Sequence, residues 1–407
     1  MLSRVVVFSK RNQHSITMKL LKGNQLLSRT QCDVLRGLAI TGIFIHNFCH
    51  WLRGAHPENE FNFHPGNSTK MWDYWTGAID QFAPIQFFSF FGHYGVPLFL
   101  FLSGYGLVMK YERAGEPRVK ALPFLGYQWL KLFRLMILGY ILSFIVYVLW
   151  CDSGVNPWNV IAAQLSLTVN FIFENPGTAM LPGPYWFFGL MLEIYVIYRL
   201  LIYPGHDKRG SVWRWLVPVL LIVVAWAVMA VSEGHDKRLV YLRYNAFVGM
   251  LPLCMGVLAA RYGLPRLSKW LLAAIAIVAL PGLAVANLNF HAWLWAPVLV
   301  VAGAVAFVKC VEGAGALLER AIMKPLAWMG MLSAHIFVVL SLPRMPMFKF
   351  VLWKQKELLS SDYWWILLYI VLTIVLAWLH KQYLSIVPAP RLRSDSHISF
   401  SIPRKKR

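Results

Sequence analysis

Four ionisable side chains within one apolar run are the residues best suited to chemistry. The run CDVLRGLAITGIFIHNFCHW, residues 32–51, contains Asp33 and Arg36 near its start and His46 and His50 near its end. About 20 residues of this kind suffice to cross a hydrocarbon layer of ~30 Å. Ionisable groups inside such a helix are costly, and by default they mark a functional site.

Helical spacing indicates what these groups can do. Arg36 and His46 are ten positions apart, which is roughly 15 Å along a helix, so they cannot touch. An arginine near the membrane surface can bind a carboxylate or a phosphate, and a deeper neutral imidazole can accept a proton. His50 follows His46 by four residues, a spacing that can bind a metal. Because no acidic or cysteine partner stands out in the sequence, we predict no metal site.

Composition places the chain among membrane proteins. It has 407 residues, of which 58% are hydrophobic, and a mean hydropathy of +0.54, which is too apolar for a soluble globular protein. The formal charge of +21 does not indicate nucleic-acid binding, because the basic residues are divided among short segments between apolar runs. We therefore predict contact with membrane lipids and no nucleic-acid partner.

The pattern predicts an all-α polytopic bundle of about ten spans with both termini cytosolic, since this count puts most of the later Lys and Arg residues inside. The short run 160–173, interrupted by Gln164 and Asn170, favours an interfacial or re-entrant segment. The predicted spans are about residues 32–51, 87–109, 135–150, 185–203, 213–231, 240–260, 268–286, 291–310, 326–343 and 363–384.

Three regions follow from this organisation. Residues 1–31 form a basic cytosolic tail, residues 32–387 form the transmembrane domain, and residues 388–407 form a basic cytosolic tail that we expect to be disordered near anionic lipid. We expect a multi-pass protein of the cell membrane, inner or plasma. The sequence does not indicate an oligomeric state.

Further candidates lie on the next spans, and each has a structural and a functional interpretation. Ser103 and Gly104 end the run GHYGVPLFLFLSG and suit either close helix packing or a site. Lys131 and Arg134 suit either ordinary positive-inside charge or, with Arg36, a phosphate site. Glu193 lies within an otherwise apolar run and requires a partner, so we favour a hydrogen-bonded buttress over direct catalysis.

Taken together, these residues resemble the acyltransferase-3 family of integral membrane acyltransferases. The resemblance covers about residues 30–385, and its strength lies in the order of four weak motifs. The matching residues are Asp33, Arg36 and His46; Gly92, Gly95, Val96, Phe99, Ser103 and Gly104; Lys131 and Arg134; and Trp186, Phe187 and Glu193.

The resemblance implies transfer of an acyl group, often acetyl, from acyl-CoA to a hydroxyl of an exported or lipid-linked saccharide. It implies no tightly bound cofactor. Arg36, Lys131 and Arg134 would bind the CoA phosphates, and His46 would be the general base. The catalytic set is then His46, Arg36 and Glu193. Supporting roles fall to Asp33, Ser103, Gly104 and Trp186.

One departure leaves alternatives open. The family shows a serine followed seven residues later by a histidine, whereas here Ser333 is followed by Leu340, and His335 is off register. An inactive member that acts as an assembly partner in a glycan pathway is one alternative. A glycan or lipid transporter is another, because a charged multi-span bundle also suits transport. For an enzyme, we expect aromatics of the outer loops to stack on the saccharide, namely Trp72, Trp75 and Trp158.

Overall fold

In a computed structural model the chain forms a helical bundle with one small hairpin. The structure describes residues 25–112, 119–147, 158–174, 176–180, 182–203, 212–312, 314–393 and 397–403. The α-helices are α1 Arg29–Cys49, α2 Pro65–Gly77, α3 Ala83–Phe91, α4 Gly95–Tyr111, α5 Ala121–Ile145, α6 Trp158–Ser166, α7 Val169–Ile172, α8 Pro176–Ala179, α9 Trp186–Ile197, α10 Trp213–Ala230, α11 Asp236–Tyr244, α12 Ala246–Tyr262, α13 Lys269–Ala286, α14 Phe290–Leu294, α15 Ala296–Glu312, α16 Ala316–Leu318, α17 Lys324–Val339, α18 Ser341–Phe350 and α19 Asp362–Ile386.

The all-α membrane fold is confirmed. Within the described ranges, seven helical stretches are long and apolar enough to cross a membrane, and an eighth is formed if α11 and α12, bent by 46°, count as one. The count of ten spans and the cytosolic position of both termini stay predictions. The seven stretches are Ala83–Tyr111, Ala121–Ile145, Gly183–Ile202, Trp213–Ala230, Lys269–Ala286, Ala316–Val339 and Asp362–Ile386.

The third predicted span begins much earlier than expected. Helix α5 starts at Ala121 rather than near residue 135, so Lys131 and Arg134 lie on the helix and not before it. The two basic residues had indicated a loop, but a long basic side chain can leave an apolar helix surface and keep its charge at the membrane boundary. The placement changes which groups these two cations can reach.

The short run 160–173 forms two short helices rather than one span. Helices α6 and α7 are separated at Leu167, which has a positive φ of 64°. The buried Asn170 donates hydrogen bonds to the carbonyls of Trp186 and Tyr244, at 2.9 and 2.7 Å. Its polar side chain therefore joins α7 to α9 and α11.

The predicted disorder of the C-terminal tail is wrong for part of its length. Strand β1, Ala389–Leu392, pairs antiparallel with strand β2, Ile398–Ser401. The chain just before β1 supplies carbonyl groups to Arg134 of α5, which fixes the hairpin against the bundle. Most of the predicted N-terminal tail, residues 1–24, lies outside the described residues.

Helix α1 has a well-defined start and close neighbours. Ser28 accepts a hydrogen bond from the Gln31 amide at 3.1 Å, and the Gln31 side chain accepts one from the Ser28 amide at 2.8 Å, which forms a capping box. Farther along, Gly37 of α1 and Gly330 of α17 allow the two backbones to touch. These contacts fix the height and rotation of α1, and so the positions of Arg36 and His46.

Candidate active site

The candidate residues divide between two ends of the bundle. We call the end where α1 begins, with Arg36, the inner end, and the end where α1 finishes, with His46 and His50, the outer end. The inner end carries exposed cations around a cavity. The outer end carries buried histidines covered by the loop of residues 50–64.

His46 is held in one orientation deep within the outer end. Its side chain is 2% exposed, and its Nδ1 lies 3.1 Å from the carbonyl oxygen of Phe88 and 3.0 Å from that of Ser89. Because carbonyl oxygens only accept, Nδ1 carries the proton of the neutral ring, and Nε2 has the free lone pair. Nε2 is buried and has no hydrogen-bond partner among the described residues. A fixed imidazole with an open basic nitrogen is what a general base requires.

Close backbone packing supports this orientation. Gly92, in the short 3-10 segment between α3 and α4, lies directly against His46, and a Cβ at this position would be 2.5 Å from the His46 Cβ. The same Cβ would be 2.6 Å from the carbonyl oxygen of Gly42. Any side chain at position 92 must therefore push α1 away. The glycines of the GHYGVPLFLFLSG run serve packing, and Gly104 likewise lies against the backbone of α12 at Leu253.

Two carboxylates reach His46 from the loop that follows α1. The Glu60 Oε2 lies 3.7 Å from His46 Nε2, an ion-pair distance rather than a hydrogen bond. Glu58 is close to both His46 and His50, and one ligand atom of each of the three lies within 4.8 Å of the others. Burial, partly offset by the nearby imidazole of His46, raises the pKa of Glu58 above its ordinary value.

The loop is held in place through its backbone. Asn67 donates to the Glu58 carbonyl at 3.0 Å, and Arg243 donates to the Glu60 carbonyl at 2.8 Å through Nε. Gln86 accepts from the His56 amide at 2.7 Å. Both glutamates are thus positioned by hydrogen bonds that leave their carboxylates available.

The absence of an acidic partner, on which the prediction of no metal site was based, does not hold in the fold. Glu58 and Glu60 lie twelve and fourteen residues after His46, in a loop whose path is not readable from sequence. The pair of acidic residues in HPENEF, directly after the helix that carries both histidines, is the signal that could have identified them.

The inner cavity brings several of the predicted residues together. It has a volume of about 250 Å³, and its lining is rich in donors and cations. Ser103 faces it, with its hydroxyl donating to the Phe99 carbonyl at 2.7 Å. Lys110 was missed by sequence reasoning, although it closes the same helix that carries Ser103. The polar and charged side chains in the lining include Arg36, Ser103, Lys110, Gln128, Lys131 and Tyr195.

Two predicted inner-end residues have other partners. Asp33 pairs with Arg36 at 2.6 Å, one turn apart on α1, and orients the guanidinium. Arg134 is not part of the cavity lining, and its guanidinium donates instead to the carbonyls of Val387 and Pro388, both at 2.8 Å, and of Leu384. Arg134 therefore fastens the end of α19, whereas Lys131 faces the cavity.

Glu193 lies apart from His46 and supports a helix start. One carboxylate oxygen accepts a hydrogen bond from the Ala246 amide at 2.8 Å, the first residue of α12. The unpaired amides at a helix N-terminus need such an acceptor. This geometry agrees with the predicted buttress role and gives Glu193 no contact with the proposed base.

A second, small cavity adjoins Glu60 at the outer end. Its volume is about 30 Å³, and it is lined by Glu60, Phe61, His93, Trp186, Arg243 and Trp293 among others. The Arg243 guanidinium lies 4.5 Å from the Trp293 ring centroid. The predicted aromatics of the outer loops are elsewhere: Trp158 is 85% exposed, Trp72 is 37% exposed, and Trp75 is partly buried against a separate apolar cluster.

The late histidine of the family pattern has no direct replacement. Leu340 is fully buried at the end of α17. His335 faces a different partner, with its Nδ1 3.1 Å from the Nδ1 of His380 on α19. The chain segment after Leu340 brings a buried arginine, Arg344 of α18, close to α1. Its guanidinium donates to the carbonyl of Asn47, the residue after His46, at 2.9 Å.

A family model described as an acyltransferase domain, that of acyltransferase-3, matches residues 29–381. Neither a curated protein nor a solved structure matches the chain. The match extends from the start of α1 to the last turns of α19, and so includes both ends of the candidate site. The chain therefore belongs to the acyltransferase-3 family of membrane acyltransferases.

Proposed function

We propose that the protein is an O-acyltransferase that moves an acyl group, acetyl being the expected one, from acyl-CoA to a hydroxyl of an exported or lipid-linked saccharide. The observation that carries the proposal is the buried Nε2 of His46, which has its lone pair free and the Glu60 carboxylate 3.7 Å away. A base with an acidic neighbour is an arrangement suited to deprotonating a hydroxyl.

The donor fits the inner cavity. Arg36, Lys110 and Lys131 place three cations around its mouth, and multiple cations suit the phosphates of CoA. The cavity volume of about 250 Å³ admits part of the donor, with the nucleotide left at the mouth. Along α1, Arg36 and His46 are roughly 15 Å apart, a gap that an extended thioester arm must cross toward the base.

The reaction follows from the tautomer of His46. Its Nε2 takes the proton of the acceptor hydroxyl while the oxygen attacks the thioester carbonyl. The tetrahedral intermediate collapses, the carbon–sulfur bond breaks, and the imidazolium returns the proton to the CoA thiolate. Glu60 stabilises the transient imidazolium, and the carbonyls of Phe88 and Ser89 keep the ring in register.

We assign the acceptor to the outer end, which must open to admit it. Trp186 and Trp293, both buried, line its small cavity beside Glu60 and Arg243. Once the cavity opens, their apolar surface next to polar groups would suit a saccharide. This cavity lies on the Glu60 side of His46, so a hydroxyl delivered from it comes to the proposed base.

The test is label transfer from radiolabelled acetyl-CoA to lipid and glycan fractions, with membranes that contain the native chain or His46→Ala. We expect transfer by the native chain and a loss of about 10²–10⁴-fold in the variant, the usual range for a general base. His335→Ala is the matched control, because this histidine pairs with His380 away from the site. Equal transfer by native and His46→Ala membranes would exclude His46 as the base.

A further inference from the structure

We propose that His46, His50 and Glu58 form a zinc-binding site at the outer end, and that the bound ion blocks acyl transfer. One ligand atom from each residue lies within 4.8 Å of the other two. Two histidines and one glutamate are a recurrent ligand set for Zn²⁺, with a further position left for water. The two histidines are one helical turn apart on α1, a spacing that suits a shared metal.

In each histidine the nitrogen available to a metal is the one that the hydrogen bonds to backbone carbonyls do not use. Nδ1 of His46 is used by the Phe88 and Ser89 carbonyls, and Nδ1 of His50 lies 2.7 Å from the carbonyl of His46. This leaves Nε2 of each ring. The rings are stacked with centroids 4.5 Å apart and planes 13° apart, so the two in-plane lone pairs run nearly parallel, and one ring must turn before both nitrogens can bind one ion. Such carbonyl partners on the second nitrogen are the usual support of a metal-binding histidine.

The buried, unpartnered Nε2 of His46 is an independent observation that points to a ligand. A buried polar atom without a partner is costly, and it requires an explanation such as a bound ion or substrate. Glu60 adds a second carboxylate 3.7 Å from this nitrogen, so the cluster carries two acidic groups for a divalent cation. The carbonyls of Glu58 and Glu60 are tied to Asn67 and Arg243, which limits the motion of the loop.

The geometry needs only a small closure. Zinc–nitrogen and zinc–oxygen bonds of about 2.0–2.2 Å place the donor atoms of a tetrahedral site roughly 3.3 Å apart. The donors here lie within 4.8 Å, so they must approach by about 1.5 Å at most. Rotation of the Glu58 side chain and a turn of the His50 ring about its side-chain torsions would supply this movement, because the two rings now lie nearly parallel.

The consequence for catalysis is direct. The lone pair that would accept the acceptor proton is the one that would bind zinc, so the two events exclude each other. Inhibition therefore depends on the function proposed above, whereas zinc binding does not. The two are separated by measuring binding without turnover.

The experiment is equilibrium binding of Zn²⁺ to the purified full chain in detergent, with the metal quantified by mass spectrometry after dialysis. We expect about one tightly held zinc per chain, and an affinity at least about 100-fold lower in His50→Gln and in Glu58→Gln, since even outer-sphere partners are worth 10–100-fold. His50→Cys keeps a zinc ligand and should restore binding.

The matched control is His291→Gln. His291 also pairs with a glutamate, Glu233 at 3.2 Å, but both side chains are more than half exposed, and they lie outside the cluster of three. Binding should be unchanged in this variant. Zinc should also lower label transfer by the native chain, and the ratio of activity with and without zinc should rise toward one in His50→Gln. A native chain that retains no zinc, or equal binding by native and His50→Gln protein, overturns the proposal.

Discussion

Replacement of Glu60 by glutamine tests the pairing of base and carboxylate most sharply. The change keeps the size of the side chain, removes its charge and replaces one acceptor oxygen with an amide donor, and the backbone carbonyl of Glu60 stays bonded to Arg243. At 3.7 Å and an effective dielectric constant of ~20, the attraction between a carboxylate and an imidazolium is about 4 kcal/mol. Glu60 retains 18% of its side-chain exposure, so solvent screening reduces this to about 2–3 kcal/mol.

Because the imidazolium forms only during the reaction, this loss falls on kcat and not on KM. A loss of 2–3 kcal/mol predicts a decrease in kcat of about 100-fold. The assay is the initial rate of label transfer at saturating acyl-CoA, with Glu60→Asp as the charged comparison and Glu233→Gln as the surface control. We expect Glu60→Asp to recover part of the rate. A kcat of Glu60→Gln within threefold of native would refute the charge pairing.

The remaining predictions concern packing, donor binding and the C-terminal hairpin. Gly92→Ala forces a methyl group against His46 and should lower activity by about 10²-fold through misplacement of the base, whereas Gly66→Ala, in open space, should not; rates normalised to folded protein check both. Lys131→Gln should raise the KM for acyl-CoA about 3- to 10-fold, consistent with roughly 1 kcal/mol for an exposed phosphate contact. Initial rates over a range of acyl-CoA concentrations measure this KM, and an unchanged value would contradict the assignment of Lys131. Arg134→Gln removes donors from three carbonyls and should lower the free energy of unfolding by about 2 kcal/mol without a change in that KM, as measured by thermal unfolding in detergent.

Sequence patterns located the helices well because hydropathy follows directly from the solvent. A segment in hydrocarbon must form its backbone hydrogen bonds internally and expose apolar side chains to lipid. Each span is therefore visible in the sequence as a continuous run of apolar residues. Predicted limits such as 213–231 and 268–286 differ from α10 and α13 by a residue at each end or less. The start of α5 was misplaced because Lys131 and Arg134 resemble loop residues, although the helix continues beneath them.

The site was only partly predictable, and the reason is the range of the contacts. His46, Arg36 and Ser103 are marked by polar chemistry within apolar runs, so local sequence identifies them. Glu60 reaches His46 through a loop whose path depends on Arg243, which is 183 residues away along the chain. No periodicity records such a contact. The acidic pair in HPENEF marks the candidate residues, and the folded chain shows that Glu60 reaches His46.

Arg134 shows that residues close together in the sequence can also have unrelated partners in the fold. It shares an apparent motif with Lys131, three residues earlier on the same helix, yet the two cations have different partners. Helical geometry turns three residues through about 300°, and the neighbour at each angle decides whether a cation binds a ligand or a carbonyl. The sequence suggests that the two cations bind one ligand, whereas in the fold only Lys131 lines the cavity.

The small outer cavity has a kinetic consequence. Its volume of about 30 Å³ is far too small for a sugar ring, so the proposed saccharide acceptor can enter only if Trp186, Trp293 or the loop that carries Glu60 moves. An opening step then precedes every turnover, and such steps often limit kcat. If opening is slower than proton transfer, opening of the acceptor cavity limits kcat. Acyl donors of different chain length will then show the same maximal rate.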